Sequence, residues 1–368
     1  MKTPYKPQAI PIHELKWEEL IPLIGMAQAA VARFDGILQS MVNPELLLSP
    51  LSTQEAVLSS RIEGTHASLE DVLRYDAAPR KDTERIDDIK EVQNYRKALS
   101  EAVAWLKKSG ITVDVICRIH QLLMTGVRGE KKSPGCIRTI QNYIGYRGTS
   151  IDEAIFIPPS PSDLQTALPE LEGFMAMTHR DTIVQTAIAH AQFELLHPFL
   201  DGNGRVGRIL IPLLFVSKGL IASPTFYISE YFEGHRRAYY DGLGAISDER
   251  DWQGWVKFFL QAVTDQASLN GQRASAILSL YNRMKGEIND ATHSEYALQT
   301  LDALFNNPFI TVADFVKRAG VPRRTAERIM DALVSAKVLR LHEEGAGRRP
   351  SVLAFDRLIK ITEQKEFA

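Results

Sequence analysis

Two apolar stretches with helical spacing, residues 184–196 and 204–217, flank the run His197-Pro198-Phe199-Leu200-Asp201-Gly202-Asn203. Proline disfavours helical geometry in the residue before it, so the first helix stops at His197 and leaves the imidazole at its C-terminal end. The second helix starts near Asn203 or Gly204, and its first backbone N–H groups lack partners within the helix. Gly202 and Gly204 let a ligand come close to that end, which therefore reads as a cradle for an anion. The chain is committed to two helices joined by a polar loop mouth.

The residue types in and after the loop suit a phosphate guest. Asp201 is the carboxylate of the run and suits a magnesium ion that bridges phosphate oxygens. Arg205 and Arg208 lie three apart, on one face of the first helical turn, where planar guanidiniums grip outer phosphates. His197 then stands as general base for an incoming hydroxyl, a role worth roughly 10²- to 10⁴-fold in rate. Histidine before proline, Asp-Gly and Asn-Gly each occur in ordinary turns. Their conjunction at these offsets after an apolar helix is what points to chemistry on a nucleotide triphosphate.

Helical spacing also marks residues 53–60, 68–75, 88–107, 113–124, 161–177 and 252–269. One stretch breaks the pattern. Between residues 135 and 159, Ile137, Ile140, Tyr143 and Ile144 are followed by Ile155-Phe156-Ile157, with Gly145, Gly148, Thr149 and Ser150 between them. That spacing predicts a β-hairpin ended by Pro158-Pro159. The polar residues 285–294 read as a linker. Beyond them Val312, Phe315, Val316 and Ala319 share a helical face, Gly320 ends that helix, and Pro322 starts another whose face carries Ala326, Ile329, Met330 and Leu333. Residues 338–341 and 352–355 then frame a turn, which completes a winged helix-turn-helix.

At 368 residues the chain exceeds the usual length of one domain. Its net charge of −2 provides no global field toward nucleic acid or an anionic membrane, so any such contact is local. Arg323, Arg324 and Arg328 on the second helix and Arg348 and Arg349 in the wing form such a patch, one suited to DNA. Glu327, Asp331, Glu343 and Glu344 dilute it, and winged helices also dock proteins. Cys117 and Cys136 make neither a disulfide framework nor a zinc site and agree with a cytoplasmic location. Residues 1–21 offer no apolar stretch suited to a signal peptide, and the rich apolar run 209–216 is too short to span a bilayer; no membrane partner is expected.

The run resembles the Fic motif, His-x-Phe-x-Asp/Glu-Gly-Asn-Gly-Arg-x-x-Arg, at every defining position. The flanks Ala189-His190-Ala191-Gln192-Phe193-Glu194 and Ile209-Leu210 are similar to that family too, and the resemblance covers roughly residues 51–269. It implies a mainly α fold: a Fic-type helical core with a β-hairpin flap, here joined to the C-terminal winged helix. It also implies transfer of AMP from Mg-ATP to a Ser, Thr or Tyr hydroxyl of a protein, with release of pyrophosphate. By that resemblance His197 is the base, Asp201 holds Mg²⁺, Gly202, Asn203 and Gly204 cradle phosphate, and Arg205 and Arg208 clamp the triphosphate. Phe199 would anchor the loop in the core. Self-modification and homodimers are implied in the same way.

Upstream, Ser59-Ser60-Arg61-Ile62-Glu63-Gly64 is similar to the inhibitory motif of a Fic subclass, Ser/Thr-x-x-x-Glu-Gly/Asn. Ser59 and Glu63, four apart, occupy one face of a helix that Gly64 is suited to cap. If that face meets the phosphate site, Glu63 pairs with Arg208 and puts negative charge where the γ-phosphate belongs. Ile155, Phe156 and Ile157 resemble the flap edge that pairs with an extended target segment. Tyr239 and Tyr240 fall in a stretch similar to the one that lines the adenine pocket.

The expected organisation is an N-terminal helical region with the inhibitory helix (1–110), a Fic core (111–284), and a linker with the winged helix (285–368). The leading function is an autoinhibited protein adenylyltransferase. The alternatives are a de-AMPylase or a transferase using another nucleotide, and a nucleotide-sensing DNA-binding regulator. A sensor has no need of His197, so the intact motif favours catalysis.

Overall fold

The computed structural model describes residues 3–80, 83–145, 148, 150–347 and 349–363. Every helix expected from apolar spacing is present, and several have the caps their sequences provide. Thr112 and Asp181 accept from the backbone N–H groups of Val115 and Val184, at 3.2 and 2.9 Å, and so start the helices Val113–Met124 and Thr182–Leu196. Ser68 and Ser160 form capping boxes with Asp71 and Asp163 ahead of the helices Leu69–Ala77 and Pro161–Ala176. The helix Ser49–Ile62 ends in a Schellman turn. Gly64 adopts φ +92°, its N–H donates to the Arg61 carbonyl, and that of Thr65 donates to Ser60.

The spine of the molecule is the helix Trp252–Thr292. It packs against Thr182–Leu196 in the core and against the C-terminal helices Ala297–Asn306, Arg323–Ser335 and Asp356–Glu363. Residues 285–292 are therefore helix rather than linker. Met284, Ile288 and Thr292 are buried at four-residue spacing, while the polar residues between them face solvent. A second long helix, Trp17–Gln39, lies along the spine with Leu20, Ala27, Ala30, Val31, Phe34 and Leu38 buried. By length and composition alone this helix would suffice to cross a membrane. Here its apolar face packs into the core, and its other face carries Glu18, Glu19 and Arg33.

The C-terminal residues form two helices about a tight turn beside a small antiparallel sheet. Helix Val312–Ala319 ends at Gly320, with φ +65°, and Pro322 precedes helix Arg323–Ser335. Strand Val352–Ala354 lies between Arg340–Glu343 and Phe309–Ile310 in an antiparallel sheet, with Ala354 opposite both Phe309 and Arg340. Leu69, Leu73 and Ala77 pack against Phe309, Val352 and Ala354, and Glu343 is held by Arg74 and Arg80 at 3.0 and 2.6 Å. The wing thus rests on the helix that follows the Ser49–Ile62 segment. In the basic patch, Arg323 is paired with Glu327 and Arg328 donates to the Thr292 carbonyl; Arg348 lies outside the described residues.

Among the described residues the expected hairpin shows one antiparallel bridge. The Ile144 N–H donates to the Phe156 carbonyl, and the N–H groups of Ile155 and Phe156 donate to the Ile144 carbonyl. A 3₁₀ turn, Ile151–Glu153, lies between the bridged residues, and Thr149 is outside the described residues.

Candidate active site

His197 is the C-cap of its helix, in the left-handed region with φ +47° and ψ +58°. Histidine is among the residues that tolerate this region best without glycine's freedom. The surroundings fix it there. Arg138 donates from Nε to the His197 carbonyl and from its backbone N–H to the Pro198 carbonyl, both at 2.9 Å. The Asn203 side chain clamps the loop in both senses, accepting from the Phe199 N–H and donating to the Phe199 carbonyl, each at 2.9 Å. Phe199 is fully buried and stacks on His120 with ring centroids 3.8 Å apart. His120 Nδ1 accepts from the Gly135 N–H, so its Nε2 carries the proton and donates to the Asp201 carbonyl at 3.0 Å.

Gly202 adopts φ +78° at the start of helix Asn203–Ser217. A Cβ there would lie 2.8 Å from Met124 Sδ. Gly202→Ala is therefore expected to lower stability by about 1–3 kcal/mol through backbone strain and overpacking, as measured by urea denaturation. A Cβ at Gly204 would overlap the Glu63 carboxylate, which lies directly against this end of the helix. Arg208, buried on the same face, donates from Nη2 to Glu63 Oε1 at 2.7 Å. Its Nε donates to Ser59 Oγ at 2.8 Å and Nη2 also to the Ser59 carbonyl at 2.9 Å. An acidic side chain thus sits where a helix N-terminus and a guanidinium converge.

These groups share a cleft of about 860 Å³. Glu63, His197, Gly204 and Arg208 line it from three chain segments. Tyr143, Ile144, Ile155 and Phe156 of the bridged loop form one wall, and Tyr239, Tyr240 and Ser247 of helix Arg236–Glu249 form another. Burial pushes the His197 imidazole down to about 4, against the opposing pull of the Glu194 backbone and of the Glu63 and Asp201 charges. The ring is neutral at neutral pH and able to accept a proton. Its Nδ1 is buried, which leaves Nε2 to meet a substrate. Burial alone would raise the Glu63 carboxyl, but the Arg208 guanidinium, with Arg205 and His197, holds it below the usual range. Glu63 is ionised, although about a third of its side chain is exposed at the cleft.

Several expected site residues have other duties here. Arg205 and Arg208 are held by different partners. Arg205 turns away, donates to the buried Glu91 at 3.1 Å, and has Asp201 Oδ1 3.8 Å from its other nitrogen. Only Arg208 of the two lines the cleft. The Asn203 side chain is used up by the loop, so what it can offer a phosphate is backbone. Tyr239 is buried and donates its hydroxyl to His190 Nε2, since His190 Nδ1 gives its proton to the Gly207 carbonyl. Tyr240, half exposed in the cleft, is the ring free to stack on a planar guest. Ile157 is buried, and its carbonyl accepts from the Tyr5 N–H, so it does not belong to an open edge; Ile155 is 51% exposed.

Asp201 is 43% exposed and accepts from the Gly202 N–H at 2.7 Å. Among the described residues no cluster of three or more His, Cys, Asp or Glu side chains is placed to hold a metal. A single accessible carboxylate fits magnesium, which takes one or two carboxylates and completes its shell with substrate phosphates and water. Sequence reasoning overlooked Glu194, Leu243 and Ser247 in the cleft wall. The last two follow Tyr240 at three- and seven-residue spacing, a helical face that could have been traced.

Residues 21–104 match the Fic/DOC family N-terminal region and residues 110–215 match the Fic/DOC family itself, together just over half of the chain. The chain belongs to the Fic/DOC family. The protein adenylyltransferase Fic of Culex quinquefasciatus is 29% identical over 182 residues, covering 48% of this chain and 33% of that protein. The protein adenylyltransferase fic-1 of Caenorhabditis briggsae is 32% identical over 130 residues, covering 33% and 23%. The chain therefore spans about a third or less of the length of these curated relatives. Among solved structures, a Fic family protein from Desulfovibrio desulfuricans G20 superposes with a TM-score of 0.59 at 19% identity, covering 95% of this chain and 98% of that one. Fic-1 of C. elegans gives 0.52 at 21% identity, covering 72% and 78%. These two likenesses establish the Fic fold.

Proposed function

We propose that the chain is a protein adenylyltransferase that moves AMP from Mg-ATP to a Ser, Thr or Tyr hydroxyl of a protein, itself included. Pyrophosphate is the second product, and Glu63 holds the enzyme in check. The observation that carries this reading is the Glu63 carboxylate, which rests on the Gly204 end of a helix and on Arg208 in the same cleft as a neutral His197. It occupies the place a phosphate would take.

When the triphosphate displaces Glu63, the helix N–H groups and Arg208 hold its phosphates. Asp201 would hold the magnesium of Mg-ATP, whose charge offsets that of the phosphates. Tyr240 offers its ring to adenine, and the bridged loop, with Tyr143 and Ile155, guides an extended target segment toward His197. His197 takes the proton of the target hydroxyl as its oxygen bonds to the α-phosphorus and the bond to the pyrophosphate oxygen breaks. The test is intact-mass spectrometry after incubation with Mg-ATP. An AMP adduct on Glu63→Gly protein, with or without added cell protein as target, is the expected result; no adduct on any protein would contradict the reading.

A further inference from the structure

Glu194 lies in the last turn of helix Thr182–Leu196, three residues before His197, and lines the same cleft. Its Oε1 is buried without a hydrogen-bond partner. Room for this carboxyl exists because residue 207 is glycine, where a Cβ would overlap Oε1. Gly204 and Gly207 lie three apart on one helix face, so the two carboxyls occupy successive positions along it: Glu63 over Gly204 and Glu194 over Gly207. Arg208 senses the charge of both. Leaving a polar atom unsatisfied beside a salt bridge costs stability, and such an atom in a cleft wall points to a ligand.

We propose that Glu194 is a nucleotide-binding residue whose carboxyl hydrogen-bonds an oxygen of the phosphate that replaces Glu63 beside Arg208. The inference rests on the adenylyltransferase reading and deepens it. Only the protonated acid can donate to a phosphate; the carboxylate would repel it. Burial, reinforced by the Glu63 charge and opposed by Arg208, pushes Glu194 up to about 8, so the proton is present at neutral pH. The groups that face it differ in this respect. His190 and His197 on its own helix are pushed down to about 3 and about 4, Tyr239 and Tyr240 across the cleft are raised, Glu63 is lowered and Arg208 is raised. Arg237, Asp241 and Asp248 stand farther along the cleft lining. Binding of a triphosphate above about pH 8 must therefore bring a proton with it.

The experiment uses the full chain carrying Glu63→Gly, with and without Glu194→Gln, titrated with magnesium and a non-hydrolysable ATP analogue. Calorimetry in two buffers of different ionisation heat counts the protons taken up between about pH 7 and about pH 9.5. With Glu194 present, affinity should fall up to about tenfold per pH unit once pH exceeds the Glu194 pKa, which loss of the Glu63 charge moves below that of the parent, with uptake approaching one proton. Glu194→Gln keeps a donor that does not titrate. It should lose both the fall and the uptake. The same fall and proton count in both proteins would overturn the proposal. So would zero uptake at high pH in Glu63→Gly alone, a readout that needs no change at residue 194. Complete failure of Glu63→Gly to bind the nucleotide at any pH would instead sink the adenylyltransferase reading.

Discussion

Replacing His197 with alanine or asparagine is expected to lower AMP transfer by at least about 10²-fold, and up to about 10⁴-fold, while nucleotide binding stays near that of the parent. The separation follows from geometry. The groups that meet the phosphates, Gly204 and Arg208, belong to the helix after the loop, whereas His197 caps the helix before it. Asparagine is the sharper probe because, like histidine, it tolerates the left-handed backbone that residue 197 adopts at φ +47°. Loss of transfer with retained binding in both variants supports a base. Retained transfer in the asparagine variant would remove His197 from that role. The depressed pKa sets a second expectation: His197 stays neutral down to about pH 4, so this group limits the rate only in acid. A rate that already declines as pH falls from about 7 to about 6 would require another base.

Glu63→Gly should raise transfer about ten- to a hundredfold at subsaturating Mg-ATP, measured as initial rate of label incorporation. The charge-assisted bond from Arg208 to Glu63 is of a class that contributes about 1.5–3 kcal/mol, and an incoming phosphate must replace it. Removing the acid also strands the Arg208 charge in the interior, so the nucleotide-free variant should melt at a lower temperature and recover more stability than the parent when Mg-ATP is added. The inhibitory helix itself is pinned. Glu55 accepts from the Ser229 backbone and hydroxyl at 2.9 and 2.6 Å, and Thr65 beyond the Gly64 turn donates to Glu91, which also holds Arg205. Rotation of the Glu63 side chain, not withdrawal of the helix, is the motion this packing leaves available. Equal rates for parent and variant across the Mg-ATP range would contradict the inhibitory role.

Local rules made much of this legible. Proline at 198, the glycines at 202 and 204, and the four-residue step from Ser59 to Glu63 are short-range features, and the structure puts the Glu63–Arg208 pair where they indicate. The helix pair Val312–Ala319 and Arg323–Ser335 was visible for the same reason, since Gly320 and Pro322 punctuate it. What stayed hidden depended on distant partners. Arg205 and Arg208 do sit on neighbouring parts of one helix surface, but Glu91 from another helix draws the first away. Residues 285–292 look like a linker until the core appears beneath Met284 and Ile288. Trp17–Gln39 escaped notice because Ile21 and Met26 on its exposed side and the glycines at 25 and 36 blur its apolar stripe. Glu194 is a lone carboxyl in an apolar helix, and only the cleft around it shows what it faces.

The most direct measurement of the central claim is a crystal structure of the Glu63→Gly protein with magnesium and a non-hydrolysable ATP analogue. The expected result is a phosphate on the Gly204 end of the helix in contact with Arg208, and the α-phosphorus facing His197 Nε2. A nucleotide bound elsewhere, or one whose phosphates leave Arg208 untouched, would contradict it.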